Sequence, residues 1–534
     1  MFVDANNIER DTVLQTAVCI IGGGMAGITI ALELGKQGID SILLESGGFT
    51  PDKLTRDLYR GENVGLPYIF ADGCRSRYLG GSSNCWGGWC APLDELDFEK
   101  RDWVNYSGWP FGKDELAPYY VRSHSILQLG PVNFDPQFWE KAIDRQDVRR
   151  MNLGNKIRDT ISQFSAPARF GSLYRSDLRQ SQRSKVILYA NVTNIETDEQ
   201  ARNVSRVEIA TFEGNRFYVS AKQFVLATGG IENARLLLAS NKVQQAGLGN
   251  GNDLVGRFFM DHPRLLSANM HFTKKWSRNR LYDIKYHYHS DAVSANGTRI
   301  ASQFALTPET QRMENLLNAR VSFSSVFPGE GSEGALALWR LKQTFRKKNL
   351  KEAQTGRDLI SVMTSPLDVA GYGFTRFYKP RILVRNVKFQ FICEQQPNPD
   401  SRVMLSHEKD QLGMNRVRVD WRLGELEQRT INRTVEIITG ELRNNEITEQ
   451  IIPDPHINGN SWPAGLETTW HHMGTTKMND SEKLGVVDRN CRVHSLTNLY
   501  IAGSSVFPTG GANFPTITLI ALAIRLSEHI KREM

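Results

Sequence analysis

Cysteine is scarce: six Cys in 534 residues cannot build the disulfide framework of a small secreted domain. An excess of one charge sign is also missing. The 65 basic residues against 58 acidic ones leave +7, mild for this length and without the concentrated patch of a nucleic-acid binder. No nucleic-acid partner is expected. The densest basic stretch, with Arg340, Lys342, Arg346, Lys347, Lys348 and Lys351, reads as a solvated helix face, a membrane-surface or acidic-partner contact being the lesser reading. Uninterrupted apolar runs are absent too. Residues 12–32 and 498–524 carry no charge, but Gly22, Gly23, Gly24 and Gly27 break the first, and Pro508 and Pro515 the second. Both read as buried strand–turn–helix segments rather than membrane spans. Asp4, Glu9 and Asp11 outnumber Arg10 at the start, which argues against a secretory leader, so a soluble cytoplasmic protein is expected. His471, His472, His494 and the cysteines lack zinc-like spacing, and no metal is expected. With 40% hydrophobic and 23% charged residues the chain is globular. Its length exceeds one core: about 150 residues per domain gives three or four, and a large α/β enzyme of two interwoven domains fits equally.

What is present starts early. Ala17 to Ile21 is a short apolar run suited to a buried parallel strand. Gly22-Gly23-Gly24-Met25-Ala26-Gly27 follows, matching G-x-G-x-x-G, then a helical pattern through Gln37 that stops at Gly38, and a second strand from Ile39 to Leu44 ending at Glu45. In such a β-α-β unit Gly22 permits the tight turn, Gly24 the approach of a pyrophosphate, and Gly27 close helix–strand packing. The helix N-terminus offers free N–H groups to phosphate. Glu45 can accept from an adenosine ribose. NAD and FAD share this geometry, so the motif alone leaves the dinucleotide open.

Further segments carry their own signals. Arg77 to Trp89 (RYLGGSSNCWGGW) is a Gly-rich loop that lets backbone approach a flat ligand. Lys185 to Glu196 reads as a strand able to present a backbone group to an adenine. Gln223 to Arg235 (QFVLATGGIENAR) is a strand, a Gly turn and a helix. Val255 to Pro263 (VGRFFMDHP), Trp470 to Met478 (WHHMGTTKM) and Leu499 to Thr518 (LYIAGSSVFPTGGANFPTIT) complete the set.

Together these six ordered motifs resemble the glucose–methanol–choline (GMC) family of flavoprotein oxidoreductases. Glu394 to Arg402 (EQQPNPDSR), the HHMGT segment and the GGANFPT segment are most similar to its bacterial sugar-oxidising branch of pyranose oxidases and glycoside 3-dehydrogenases. The resemblance implies an α/β fold with an interrupted Rossmann-like FAD-binding domain, residues 1–94, 185–265 and 465–534. A second α/β domain, residues 95–184 and 266–464, would supply a mainly antiparallel sheet and bind substrate. It implies FAD held by Gly22, Gly24, Met25, Ala26, Gly27, Glu45, Gly81, Ser82, Cys85, Val192, Ala227, Thr228, Gly229, Gly503, Ser504, Asn513, Phe514 and Thr516. Some relatives carry a flavin-linked histidine where this chain has Cys85, so non-covalent FAD is expected. Cys85 and Cys90 are not spaced as Cys-x-x-Cys, and plain burial is the simpler reading.

By the same resemblance His471 takes the position of the catalytic histidine and Asn513 that of its partner. An imidazole titrates near operating pH and suits a base that removes a hydroxyl proton, while an amide can hold the substrate oxygen beside it. His472 becomes the active residue if the register shifts by one and is otherwise structural. His262 is expected to end a helix near the domain junction, also as a structural residue. Gln395, Gln396 and Asn398 either face a sugar, whose hydroxyls need amide donors and acceptors, or stabilise a loop. The expected reaction is oxidation of a secondary alcohol of a sugar or glycoside, pyranose C2 or C3, to a ketone. Alternatives are a non-sugar alcohol or polyol and a non-redox lyase of the same family. The electron acceptor (oxygen, quinone or redox protein) stays open, as does a homo-oligomer or a small partner subunit.

Overall fold

The computed structural model describes residues 1–70, 74–166, 168–276, 279–286, 293–295, 297–327, 329–347, 355–384, 386–452, 457, 462–463 and 465–534. Lys348 and Lys351 of the basic stretch lie outside the described residues.

The apolar run before the glycine motif extends to a strand over Val13–Ile21, whose last four residues are fully buried. It lies central in an eight-stranded sheet. On one side the order is Ser41–Leu44, Ser184–Leu188, Phe2–Asp4, all parallel. On the other lies Arg216–Leu226, parallel to Val13–Ile21. This eleven-residue strand has two partners on its far edge. Its first half pairs antiparallel with Val204–Ala210, which continues to Asn191–Thr197, and its second half pairs parallel with Leu499–Ile501. Helices Met25–Lys36 and Thr516–Glu533 pack on each other beside it.

Register matters for function. Ile21 is level with Leu44 and Leu226, and Leu226 with Ile501. The segments that follow, Gly22, Glu45, Ala227 and Ala502, therefore leave the sheet along one edge. Carboxyl ends of parallel strands are where such sheets bind ligands.

The second layer is a nine-stranded antiparallel sheet: seven strands run in the order Thr448–Ile452, Pro263–Phe272, Asn386–Cys393, Ala319–Val326, Thr298–Leu306, Ile157–Phe164, Trp89–Cys90, and two short ones branch off, Glu467–Thr468 beside Pro263–Phe272 and Ser294–Ala295 beside Thr298–Leu306. It buries its own apolar cluster, including Phe304, Phe323, Phe389 and Phe391, with helix Glu425–Asn444 against it. The fold is thus α/β with a separate antiparallel sheet. A small sheet of Arg402–Lys409, Asn415–Asp420 and Gly61–Asn63 packs against helix Gly230–Ala239.

Three local expectations are corrected. Lys185 to Glu196 is two strands, broken where Tyr189 turns to φ 58°. Trp89–Cys90 sits in the antiparallel sheet rather than with the dinucleotide segment. His262 ends no helix; it precedes the Pro263–Phe272 strand. The two charge-free stretches resolve as strand–turn–helix, and among the described residues no helix is long and apolar enough to cross a membrane.

Candidate active site

The strand ends open into a cleft of about 440 Å³ between the two sheets. Its wall contains Gly22, Gly24, Met25, Ala26, Glu45, Gly81, Ser82, Cys85, Val192, Ala227, Thr228, Gly229, Gly503, Ser504, Phe514, Thr516 and His471. Gly27 lies behind it. A Cβ there would fall 1.9 Å from the Gly22 carbonyl oxygen, so Gly27 permits packing rather than ligand contact.

The wall fits a dinucleotide. A Cβ on Gly24 would meet only Gly81 Cα at 4.0 Å, so hydrogen there keeps the floor open for a ligand. Helices Met25–Lys36 and Thr516–Glu533 both begin at the cleft with no capping side chain and no acidic residue in the first turn, leaving their N–H groups for an anion. Arg75 and Arg77 stand beside them, both paired to Glu232. Despite its burial, Glu232 is held at about 2 by Arg235, Arg77 and Arg75. Glu45 is buried, and its two oxygens accept the Gly23 and Gly47 N–H groups, each at 2.9 Å. Its carboxylate therefore shapes the glycine loop as well as bordering the cleft. These residues would hold the diphosphate and ribose of FAD.

At the other end stands His471. Its segment is tied to Met260 by reciprocal backbone bonds between Met260 and Met473, both 3.0 Å. This brings Asp261 and His262 beside it. The Asp261 carboxylate accepts the N–H of Trp470 and of His471, both at 2.9 Å, the Tyr68 hydroxyl at 2.6 Å and the Thr469 hydroxyl at 2.7 Å. Trp470 has φ 61°, a strained conformation that two adjacent N–H bonds to one carboxylate hold in place.

The proton positions on His471 follow from this network. Around the Thr469 hydroxyl stand Asp261 Oδ1 at 2.7 Å, His471 Nδ1 at 2.9 Å and the His262 carbonyl at 3.3 Å. Its single proton goes to the carboxylate, the shortest contact and the charged acceptor, so it presents a lone pair to His471 Nδ1 at 2.9 Å. Nδ1 carries the hydrogen. His262 Nδ1, 3.0 Å away, accepts from the same N–H. His471 Nε2 keeps its lone pair. Burial, His262 and Arg264 hold this imidazole well below its ordinary pKa, so it is neutral at pH 7.

Asn513 is not on the cleft wall. It is buried, donating to the Pro92 carbonyl at 2.5 Å and accepting from Arg320 Nε at 3.0 Å. Its neighbour Phe514 takes the place beside His471, edge-to-face with ring centroids 5.6 Å apart, and leans on Trp89 at 5.0 Å. The amide of Asn513, expected to partner His471, here joins two segments of the fold. Gln395 and Gln396 are likewise off the wall. Gln395 is buried, accepting from Asp261 N and Trp421 Nε1 and donating to the Arg422 carbonyl, all at 2.9 Å. Gln396 is bound through its backbone N–H to Glu427. Asn398 caps a turn by accepting from Asp400 N. The amides that do line the cleft are Gln303 and Gln390, with Arg264, Trp470 and Thr468. They sit on or beside strands of the antiparallel sheet, without any local motif. His472 turns into an apolar pocket of Tyr68 and Phe259. Burial, Arg75 and His471 lower its pKa to about 3. Cys85 borders the cleft and is exposed, against the burial expected of it, whereas Cys90 is buried.

Comparison with known proteins agrees with this arrangement. A family model described as GMC oxidoreductase matches residues 397–523, and one described as FAD binding domain matches residues 15–52. The chain is 24% identical to 2-methyl-1,2-propanediol dehydrogenase of Mycolicibacterium austroafricanum, over 97% of this chain and 95% of that one. It is 23% identical to the fructose dehydrogenase large subunit of Gluconobacter japonicus, over 98% of both. Among solved structures, pyridoxine 4-oxidase from Mesorbium loti superposes with a TM-score of 0.57 at 17% identity, covering 97% of this chain and 99% of that one. With the glycine cradle, the uncapped helix ends and the histidine at the far end of the cleft, these matches place the chain in the GMC oxidoreductase family of FAD-dependent enzymes.

Proposed function

We propose that the chain oxidises a secondary alcohol of a sugar or glycoside to a ketone, with FAD bound non-covalently. FAD, when bound, supplies the acceptor for the hydride that leaves the alcohol carbon. The observation that carries the proposal is the placement of His471 Nδ1 at 2.9 Å from Thr469 Oγ1 and 3.0 Å from His262 Nδ1, which assigns the hydrogen to Nδ1 and leaves Nε2 as a neutral base. His471 takes the hydroxyl proton; its lowered pKa keeps Nε2 unprotonated at neutral pH while making it a weaker base than a free imidazole. The resulting imidazolium keeps its Nδ1–H on the Thr469 oxygen, whose own proton remains directed at Asp261. Phe514 and Trp89 exclude water from one side of the imidazole.

Three features of the wall support a sugar. Gln390 and Arg264 bring hydroxyl-binding groups to the wall from one sheet, Arg264 with Glu467 beside it, while Gln303 is buried behind them with its amide on Ser162 and Ser322. Trp89 and Trp470 give flat apolar faces. The similarity to a fructose dehydrogenase subunit extends over the whole chain. The diol dehydrogenase among the relatives favours a small polyol as the second reading. Non-covalent flavin follows from Cys85 standing where some relatives of this family carry the flavin-linked histidine.

The test is the anaerobic visible spectrum of the purified protein before and after a pool of pyranoses, glycosides and short diols. Bleaching by the sugars with wild type, but not with His471→Ala carrying the same flavin, is the expected result. Bleaching by diols alone moves the assignment to the second reading. Equal bleaching in the variant removes His471 as the base.

A further inference from the structure

Strands Ala319–Val326 and Asn386–Cys393 pair side by side, and between them the chain leaves the sheet for three helices, Glu333–Lys347, Thr355–Thr364 and Pro366–Tyr378, packed on one another. Their amphipathicity faces outward. In the last helix Leu367, Phe374, Phe377 and Tyr378 recur at helical spacing, and Leu367 and Phe377 are 86% and 78% exposed. In the middle helix Ile360 and Met363 are 64% and 78% exposed, whereas Asp358 is turned inward onto Arg340 of the first helix. A surface helix normally shows the reverse pattern, and a contiguous exposed apolar face of this kind marks a contact surface.

The surroundings of this face select its partner. Lys342, Arg357 and Arg376 are exposed, and among the described residues no carboxylate pairs with them. On the last two helices Asp368 is the exposed carboxylate among the described residues. Apolar stripes with exposed aromatic rings and unneutralised cations match an acyl layer beneath anionic headgroups. Lys and Arg stems can lie along the acyl boundary while their heads stay in water. We propose that the three helices dock the enzyme onto an anionic lipid surface, lying in the interface rather than crossing it. The docking face is separate from the cleft. The excursion attaches at Asn386, six residues along the strand from Ile392, which lines the cleft, a distance of roughly 20 Å at strand rise.

Flotation of the full-length, flavin-loaded protein with vesicles tests this. The protein is expected to float with phosphatidylcholine vesicles containing phosphatidylglycerol in low salt, and to stay behind with phosphatidylcholine alone or in high salt. Arg357→Gln and Arg376→Gln should each weaken partition about fivefold, the Boltzmann equivalent of one cation's attraction to an anionic leaflet. Leu367→Ser with Phe377→Ser should abolish it. All these variants should keep wild-type melting temperature and alcohol-driven flavin bleaching in solution. Failure of the wild type to float with anionic vesicles overturns the proposal, as does equal binding to neutral ones. So does a wild-type dimer that Leu367→Ser with Phe377→Ser turns into a monomer, which assigns the face to a second copy of the chain.

Discussion

Thr469 donates its hydroxyl proton to Asp261 at 2.7 Å, and that one bond decides the chemistry of the residue two positions on. With the proton directed at the carboxylate, the Thr469 oxygen can only accept from His471 Nδ1. The base is made by orienting a hydroxyl, and Asp261 does the orienting without touching the imidazole ring.

Replacing Thr469 by Val removes the acceptor while keeping shape. Only His262 Nδ1 then faces His471 Nδ1, and that pair can hold the proton on either ring, so the tautomer of His471 with its proton on Nε2 becomes populated. Anaerobic stopped-flow should show alcohol-driven flavin bleaching slowed roughly tenfold to a hundredfold, a part of what general-base catalysis contributes. Flavin content should be unchanged. Thr469→Ser, which restores the hydroxyl, should recover most of the rate; a Ser variant as slow as Val would show that the methyl group, not the oxygen, matters.

Asn513→Ala tests whether this amide holds the fold or the substrate. The change leaves the Pro92 carbonyl and Arg320 Nε without their partner, in a buried place. The cost expected is about 1–3 kcal/mol of stability, read as a lowered melting temperature. The bleaching rate of the folded fraction should fall far less than in His471→Ala. A collapsed rate at unchanged melting temperature would instead put the amide on the substrate.

The glycine motif contains two different constraints that a single experiment separates. At Gly24 a new side chain meets open cleft, with Gly81 Cα 4.0 Å from its Cβ; at Gly27 it meets the Gly22 carbonyl oxygen at 1.9 Å. Gly24→Val should fold with wild-type circular dichroism and purify colourless. Gly27→Val should fail to give soluble protein, since neither helix nor strand can yield that far.

This difference also explains what could be read from the sequence. The parallel half announces itself, because its strands are continuous apolar runs followed by glycines that physics requires at fixed spacing. The antiparallel half has no such marks: Gln303 and Gln390 reach the cleft from strands where every second residue points the other way, and only register decides which. Gln395 was chemically as good a sugar ligand as Gln390, and tertiary placement turned its amide onto Asp261 and Trp421 instead. Asn513 and Phe514 show the same sensitivity, since one step along a loop exchanges the residue facing His471. His262 was visible within its motif, but its neighbour 209 residues later was not.

His472 links the site to acid stability. Its imidazole is buried among Tyr68 and Phe259 with Nε2 lacking a hydrogen-bond partner among the described residues. Burial, Arg75 and His471 lower its pKa to about 3, against about 6.5 in the unfolded chain. Below pH 6.5 the unfolded chain takes up a proton that the folded one refuses, so stability is complete above that pH and falls as pH drops towards 3. Between pH 6.5 and pH 5 the contribution lost is about 2 kcal/mol. His472→Leu keeps the apolar packing and removes the titration. Its urea midpoint should therefore decline less than that of the wild type over this range, by an amount worth one proton. Parallel declines in the two proteins would mean that His472 is protonated in the folded state, and that water reaches the pocket behind the active site.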